Sequence, residues 1–381
     1  MKKIAVVLMM IGIMVIGGLR AECVQASELS EYDFTDVQDV IDKNGEDMDF
    51  GSLVSSLYEG STDGGASVIE KVFALFIQEI KANLRIMVQL FMLAVVSAVF
   101  SNFTYTFKSS TVSAMGFNVT YMAMLLLLIS AFVISSGIAA DTVSLILEFM
   151  QSLLVVFFTS VSFSCGSLSG IGFYQVVLVV ITLCEVIFLK VVIPLTKIYF
   201  ILQMVNNFSE NAKFTKMAEF IAKAIKWMGK IMLVIVVGLN TVKSMTLPFA
   251  DSLKKTALLK TVGIIPGVGQ TVNTASSVVY GAACLIKNSI GTAGVIAICV
   301  IALVPVMKLI TLMFMYKCAS ALIEVVADKR MVNAVHSLSE SNEIFLNMVV
   351  TVMMLFIITI GIVCVSTNIN YYSVEGLWGN L

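Results

Sequence analysis

The chain has 381 residues, 59% of them hydrophobic and 13% charged, with a mean hydropathy of +0.97 and a formal net charge of −1. A soluble domain is far less apolar than this. The composition therefore excludes a soluble enzyme and a basic nucleic-acid binder, and indicates a polytopic membrane protein.

The first residues place Lys2 and Lys3 before an apolar run from Ile4 to Leu19, followed by Val24-Gln25-Ala26. Basic start, apolar middle and small-residue end predict a signal peptide over 1–26, cut after Ala26. Residues 27–70 carry twelve Asp and Glu against the single Lys43. This acidic segment lacks the apolar repeat needed to build a core, and is expected to be extracytoplasmic and loosely folded or partner-dependent. Within 27–83, the stretch from Val68 onward sets apolar residues at 69, 72, 73, 76, 77 and 80, which predicts an amphipathic helix leading into the membrane.

A helix crosses the hydrocarbon with about 20 mostly apolar residues. The charge-free intervals 86–107, 109–140, 149–184, 288–307 and 344–374 qualify, and 171–204 and 231–249 are weaker candidates. The predicted fold is all-α, a polytopic helical membrane protein of about seven transmembrane helices. A first bundle spans 84–249, a Gly/Pro-broken segment 250–290, and the last helices 291–381. Orientation is contradictory. The Lys-rich stretch 205–230 points to the cytoplasm by the positive-inside rule, whereas an external N-terminal segment followed by four crossings puts it outside.

Two places echo each other. Ile193-Pro194-Leu195-Thr196-Lys197 and Val304-Pro305-Val306-Met307-Lys308 both interrupt an apolar run with Pro and follow it three residues later with Lys. Pro frees a carbonyl one turn back and kinks a helix. Each Lys then either snorkels from an interfacial helix end or lines a polar passage. Glu185 and Lys190 stand about 140° apart on a straight α-helix, so each is expected to need a partner elsewhere. Asn240 and Lys243 form a polar patch that interhelical hydrogen bonding explains.

Residues 263–271, GIIPGVGQT, resemble a phosphate loop only superficially. A P-loop requires a Lys where Gln270 stands and a first Gly where Ile264 stands. Pro266, Gly267 and Gly269 instead predict a helix break. It is either a re-entrant hairpin shielded by protein or a surface loop before a core helix, with a turn at Lys287-Asn288-Ser289. The seven cysteines are scattered singly, and the one histidine, His336, lies in a polar stretch. No metal site, cofactor or catalytic constellation is expected from them.

The order GLNTVKSMTLPFADSLKK, IPGVG, CLIKNSIGTAG, VPVMKLITLMFMYKCASALIEVVADKR and LSES, spread over 238–341, resembles the stage III sporulation protein AE family of endospore-forming bacteria. Two places depart from the family pattern: Glu324 is followed by Val325 rather than Pro, and the polar stretch after Gly269 lacks an Asp. The resemblance implies a non-enzymatic multipass protein of the mother-cell membrane around the forespore. It implies as partners the other stage III A proteins, including a separate ATPase subunit and ring-forming subunits. It also implies the forespore stage II protein Q, reached through the complex, and a role in a channel that feeds the forespore. A membrane scaffold and a stand-alone secondary transporter are the rival functions.

Overall fold

The helices of this chain are longer than a bilayer requires, because charged residues do not end a helix and the sequence offers few residues that do. The computed structural model describes residues 33–43, 49–59, 77, 80–81, 84–99, 110–165, 167–208, 213–262 and 269–376. The predicted signal peptide and the core of the glycine-rich break, 263–268, lie outside them. Among the described residues there is no strand, so the protein is all-α.

Among the described residues two short helices come first, α1 (Thr35–Lys43) and α2 (Phe50–Glu59). Asp33 caps α1, accepting from the Thr35 hydroxyl at 2.6 Å and its backbone N–H at 3.0 Å. These bonds, that from the hydroxyl first, hold its carboxyl below the ordinary range. Val37, Val40 and Ile41 recur at helical spacing and are buried, and the Phe50 ring meets Phe149 edge-on at 6.2 Å. The acidic segment is therefore not wholly loose: it lays a narrow apolar face on the bundle, a pattern hidden in sequence by the acids between.

An apolar helix, α3 (Leu84–Val99), precedes the long elements. These are α4 (Ser110–Cys165), α5 (Ser167–Cys184), a π-helical segment Glu185–Val192 that continues into α6 (Ile193–Phe208), α7 (Thr215–Val262), α8 (Gly269–Glu324) and α9 (Lys329–Gly376). Four of them contain stretches long and apolar enough to cross a membrane: Met115–Cys165, Leu168–Phe208, Gly281–Glu324 and Lys329–Thr367. Seven spans are thus not found among the described residues. The intervals 109–140 and 149–184 do not make separate spans, because α4 runs through the exposed Asp141 and Glu148 without a break. The interval 86–107 contributes only the short α3, and α7 is not among the four.

Side-chain contacts fix the directions. Tyr121 on α4 donates to the Met204 carbonyl of α6 at 3.1 Å, while Phe158 near the far end of α4 meets Tyr174 of α5. The run from α5 to α6 is therefore antiparallel to α4. Phe132 stacks on Phe200 at 4.2 Å and also meets Phe345 of α9, and the Arg330 guanidinium lies 3.8 Å over the Phe117 ring. Cys165 donates to the Thr367 carbonyl at the other end, so α9 runs parallel to α4.

Helix α9 is the central element, packed against α8, α4, α7 and α6. Close approach needs glycine at two crossings. A Cβ on Gly170 would sit 1.7 Å from Ser162 Oγ where α5 doubles back on α4, and one on Gly291 would sit 2.6 Å from Cys364 Sγ.

Candidate functional site

The site begins with what a helix interior does to polar side chains. A hydroxyl can be satisfied by donating back to the carbonyl a turn before, but an amide or ammonium has more hydrogen-bonding groups than its own helix can satisfy. Three such groups converge on α9. Asn240 of α7 is fully buried and donates to Val236 O at 2.9 Å and to Thr359 Oγ1 at 3.0 Å; its own Oδ1 has no partner. Lys287 of α8 is fully buried and donates to Thr367 Oγ1 at 2.5 Å and to Cys364 O at 3.5 Å. Asn342 lies within α9 itself, fully buried, with neither amide atom partnered.

Other buried polar groups sit beside these. Asp251 of α7, 7% exposed, accepts from the backbone N–H of Ser169 at 2.7 Å, in the first turn of α5. A carboxylate there meets the positive end of the helix dipole and satisfies an otherwise orphaned donor. Ser339 donates to the Met313 carbonyl of α8 at 2.9 Å, and Asn207 to Ser337 at 3.3 Å. Asn206 accepts from the Phe214 N–H at the α6–α7 corner, while its amide nitrogen has no partner. Polar groups therefore follow α9 from Ser337 to Thr367, nearly the length of its apolar stretch.

The residues singled out in the sequence are placed differently. Glu185 and Lys190 form an ion pair at 2.8 Å, with side chains 43% and 64% exposed. The expectation that they need separate partners is wrong, and the reason is the π segment. Its bonds close from i to i−5, as in Ile193 N–H to Phe188 O, so residues five apart return to nearly one face. Pro194 follows immediately and is exposed, as is Lys197. In the second copy of the motif, Pro305 lies inside an uninterrupted α8 with no π segment, and Pro305 and Lys308 are half-buried.

No hydrogen bond joins Lys197 to Lys308 among the described residues. Lys243 is half-buried on α7 near Asn240. Gly269 opens α8, α7 ends at Val262, and Pro266 and Gly267 fall outside the described residues.

One expectation is corrected outright: Lys287-Asn288-Ser289 is not a turn but lies inside α8. A signal for this existed. Ile286, Ile290, Ala293 and Ala297 recur at helical spacing and all are buried, which carries the helix straight through Lys287. Asp251 and Asn342 gave no comparable signal. A polar residue in a mixed sequence is normally read as exposed, and only tertiary packing buries these two.

Chemically, the arrangement offers hydrogen-bonding groups inside an apolar bundle. His336 is exposed on α9, 3.8 Å from Glu340. Among the described residues no group of three or more His, Cys, Asp or Glu could hold a metal ion.

Comparison with known proteins agrees with the architecture. Residues 48–367 match the family described as Stage III sporulation protein AE. The chain is 24% identical over 320 residues to the stage III sporulation protein AE of Bacillus subtilis (strain 168), covering 84% of this chain and 80% of that one. No solved structure matches. The matched residues take in α4 to α8 whole, most of α9, and every buried polar group described above. The chain belongs to the stage III sporulation protein AE family.

Proposed function

We propose that this protein is a non-enzymatic multipass subunit of the channel complex joining mother cell and forespore, and that it contributes a conduit or permease-like core. It resides in the mother-cell membrane around the forespore with its N-terminal segment outside the cytoplasm. It acts with the other stage III A proteins, among them a separate ATPase subunit and ring-forming subunits, and reaches the forespore stage II protein Q through them. The observation that carries the conduit reading is the set of buried polar groups along α9: Asn342, the Asn240–Thr359 bond and the Lys287–Thr367 bond. Buried polar groups in an apolar bundle cost stability unless paired, and a pathway for polar solute is a reason to keep them.

The test replaces these groups without opening cavities, by Asn240→Leu, Lys287→Met and Asn342→Leu, in sporulating cells. Immunoblots report accumulation, and heat-resistant spore counts report function. A conduit predicts normal accumulation with a collapse in spores. Unchanged spore counts from all three variants would sink it.

The scaffold reading has an observation of its own. Glu185, Lys190 and Lys197 lie on the outside of the bundle, where they are available to partners rather than to a solute. It predicts loss of co-purifying subunits when this outer charge is reversed, with the interior variants silent.

A further inference from the structure

We propose that the outer face of α4 between Met115 and Val133 is a homodimer interface, taken by the same face of a second copy of this chain running parallel to it. The face is formed by Met115, Val119, Met122, Leu126, Ile129 and Val133, all 46–71% exposed. Their spacing is four, three, four, three, four, the seam by which one helix packs lengthwise along another.

A second row runs beside the seam at seven-residue intervals: Gly116, Ala123, Ser130, Gly137 and Ser144. A Cβ built on Gly137 would meet nothing within 4 Å. Small side chains at a heptad period let two backbones approach closely.

Lipid cannot cover the whole outer face of α4. The apolar stretch Met115–Cys165 has 51 residues, about 76 Å of helix against about 30 Å of hydrocarbon. The charges say which half is left over. From Phe149 to Cys165, and across 167–184 and 288–307 beside it, there is no charged residue; 344–367 of α9 is also free of charge, its first turn reaching the level of Phe132, and 231–249 of α7 adds only Lys243. That band is about 25–36 Å deep, one bilayer. The acid-rich α1 packs on α4, and its neighbour Phe50 meets Phe149 at the edge of this band.

The Met115–Val133 half is different. At its level lie Arg330 over Phe117, the Lys317–Glu343 ion pair at 3.3 Å, and Lys216 and Glu219 on α7. Hydrocarbon at that level would have to hold all of them. The seam is thus apolar and exposed outside the band that lipid can fill, and protein must cover it.

Charge and area point to a second copy. No acidic or basic residue occurs from Met115 to Ala140, so identical seams meet without repulsion, and a two-fold axis along the membrane normal keeps both copies in one bilayer. The six exposed side chains present on the order of 700 Å² per chain, close to the ~800 Å² each partner gives in a standard interface. Val119, Leu126 and Val133 fall on one of the two seam positions and Met115, Met122 and Ile129 on the other.

The test uses the full chain in its membrane. Val119→Cys and Leu126→Cys, each oxidised with copper phenanthroline, should give a disulfide-linked species of twice the mass that the parent chain does not give. Facing seam positions come within the Cα separation of about 5.5–6 Å that a disulfide needs. Val234→Cys, 73% exposed on α7, should give none. Leu126→Lys, outside the packed core, should cut the dimer fraction in detergent at least about tenfold, or ~1.4 kcal/mol. A monomeric parent, equal cross-linking at Val234, or no response to Leu126→Lys overturns the proposal, whether acyl chains or residues 68–83 take the face instead.

Discussion

Asn342→Leu should make this protein more stable. Asn342 is fully buried on the central helix, and neither Oδ1 nor Nδ2 has a partner. Each buried polar group left unpaired costs about 1–3 kcal/mol. Leucine removes both groups at similar volume, and its different shape returns up to ~1 kcal/mol as strain. The net expectation is a gain of about 1–5 kcal/mol. In a chain of this size each kcal/mol moves the midpoint by about 2 °C, so the apparent Tm of the full chain in detergent, followed by circular dichroism, should rise by about 2–10 °C. An unchanged or lowered Tm would refute the reasoning. It would mean that ordered water or a bound solute satisfies the amide, and that leucine cannot replace what the site holds. A raised Tm together with failed sporulation would instead separate the two roles: the residue harms the fold and serves the function.

Three further outcomes follow from the geometry. Asp251→Ala should destabilise by about 1–3 kcal/mol, because the Ser169 N–H is orphaned, whereas Asp251→Asn keeps an acceptor and should lose less; thermal melts of the two variants check the order. Gly170→Ala forces a Cβ to within 2.8 Å of Ser162 Cβ and 3.1 Å of Phe158 O, so α5 must move off α4 at about 1–3 kcal/mol, seen as a lower melt and a lower yield of folded chain. Glu185→Gln removes an ion pair whose partners are 43% and 64% exposed. Its effect on the melt should stay below about 1 kcal/mol.

What the sequence made legible was the class of fold, and the reason is elementary. Long runs without charge have one way to satisfy their backbone in lipid, so helices follow. The number of spans was not legible. Counting treated Asp141 and Glu148 as boundaries, but a charge on the outer face of a helix costs little where it meets water, and α4 passes both. Among the described residues the helix ends lie elsewhere: α4 ends at Cys165 and α5 starts at Ser167, α6 ends at Phe208 with Asn206 accepting the Phe214 N–H before α7, and the helix is interrupted at Val325–Asp328. None of these corners carries proline. Within the site, Asn240 was visible because an amide in an apolar run is conspicuous. Lys287 was visible as a residue but misplaced, because its neighbours Asn288 and Ser289 suggested a turn. Asn342 lay among Ser339, Glu340, Ser341 and Glu343, where polarity on every side concealed that its own face is buried.

The two Pro–Lys segments show how far an echo in sequence can be trusted as an echo in structure. Both set Lys three residues after Pro, yet only the first is preceded by a π segment, and only there do Glu185 and Lys190 meet. A π turn inserts one residue into the helix and rotates everything after it by roughly a quarter turn or more. Lys197 therefore reaches the outside of the bundle, while Lys308, on a regular helix, stays half-buried. Deleting Val191, which leaves Glu185 and Lys190 five residues apart, should restore the α register. Such a deletion should break the Glu185–Lys190 pair and either turn α6, taking Lys197 inward and buried Phe200 outward together, or turn α5. Because Phe200 stacks on Phe132 at 4.2 Å, the α5 side is the one that should rotate. Accessibility of a cysteine placed at Val179, exposed in the parent, would then fall, while one placed at Ile201 would keep its exposure. Unchanged labelling at both sites would mean that the π segment absorbs the deletion locally and has no part in placing Lys197.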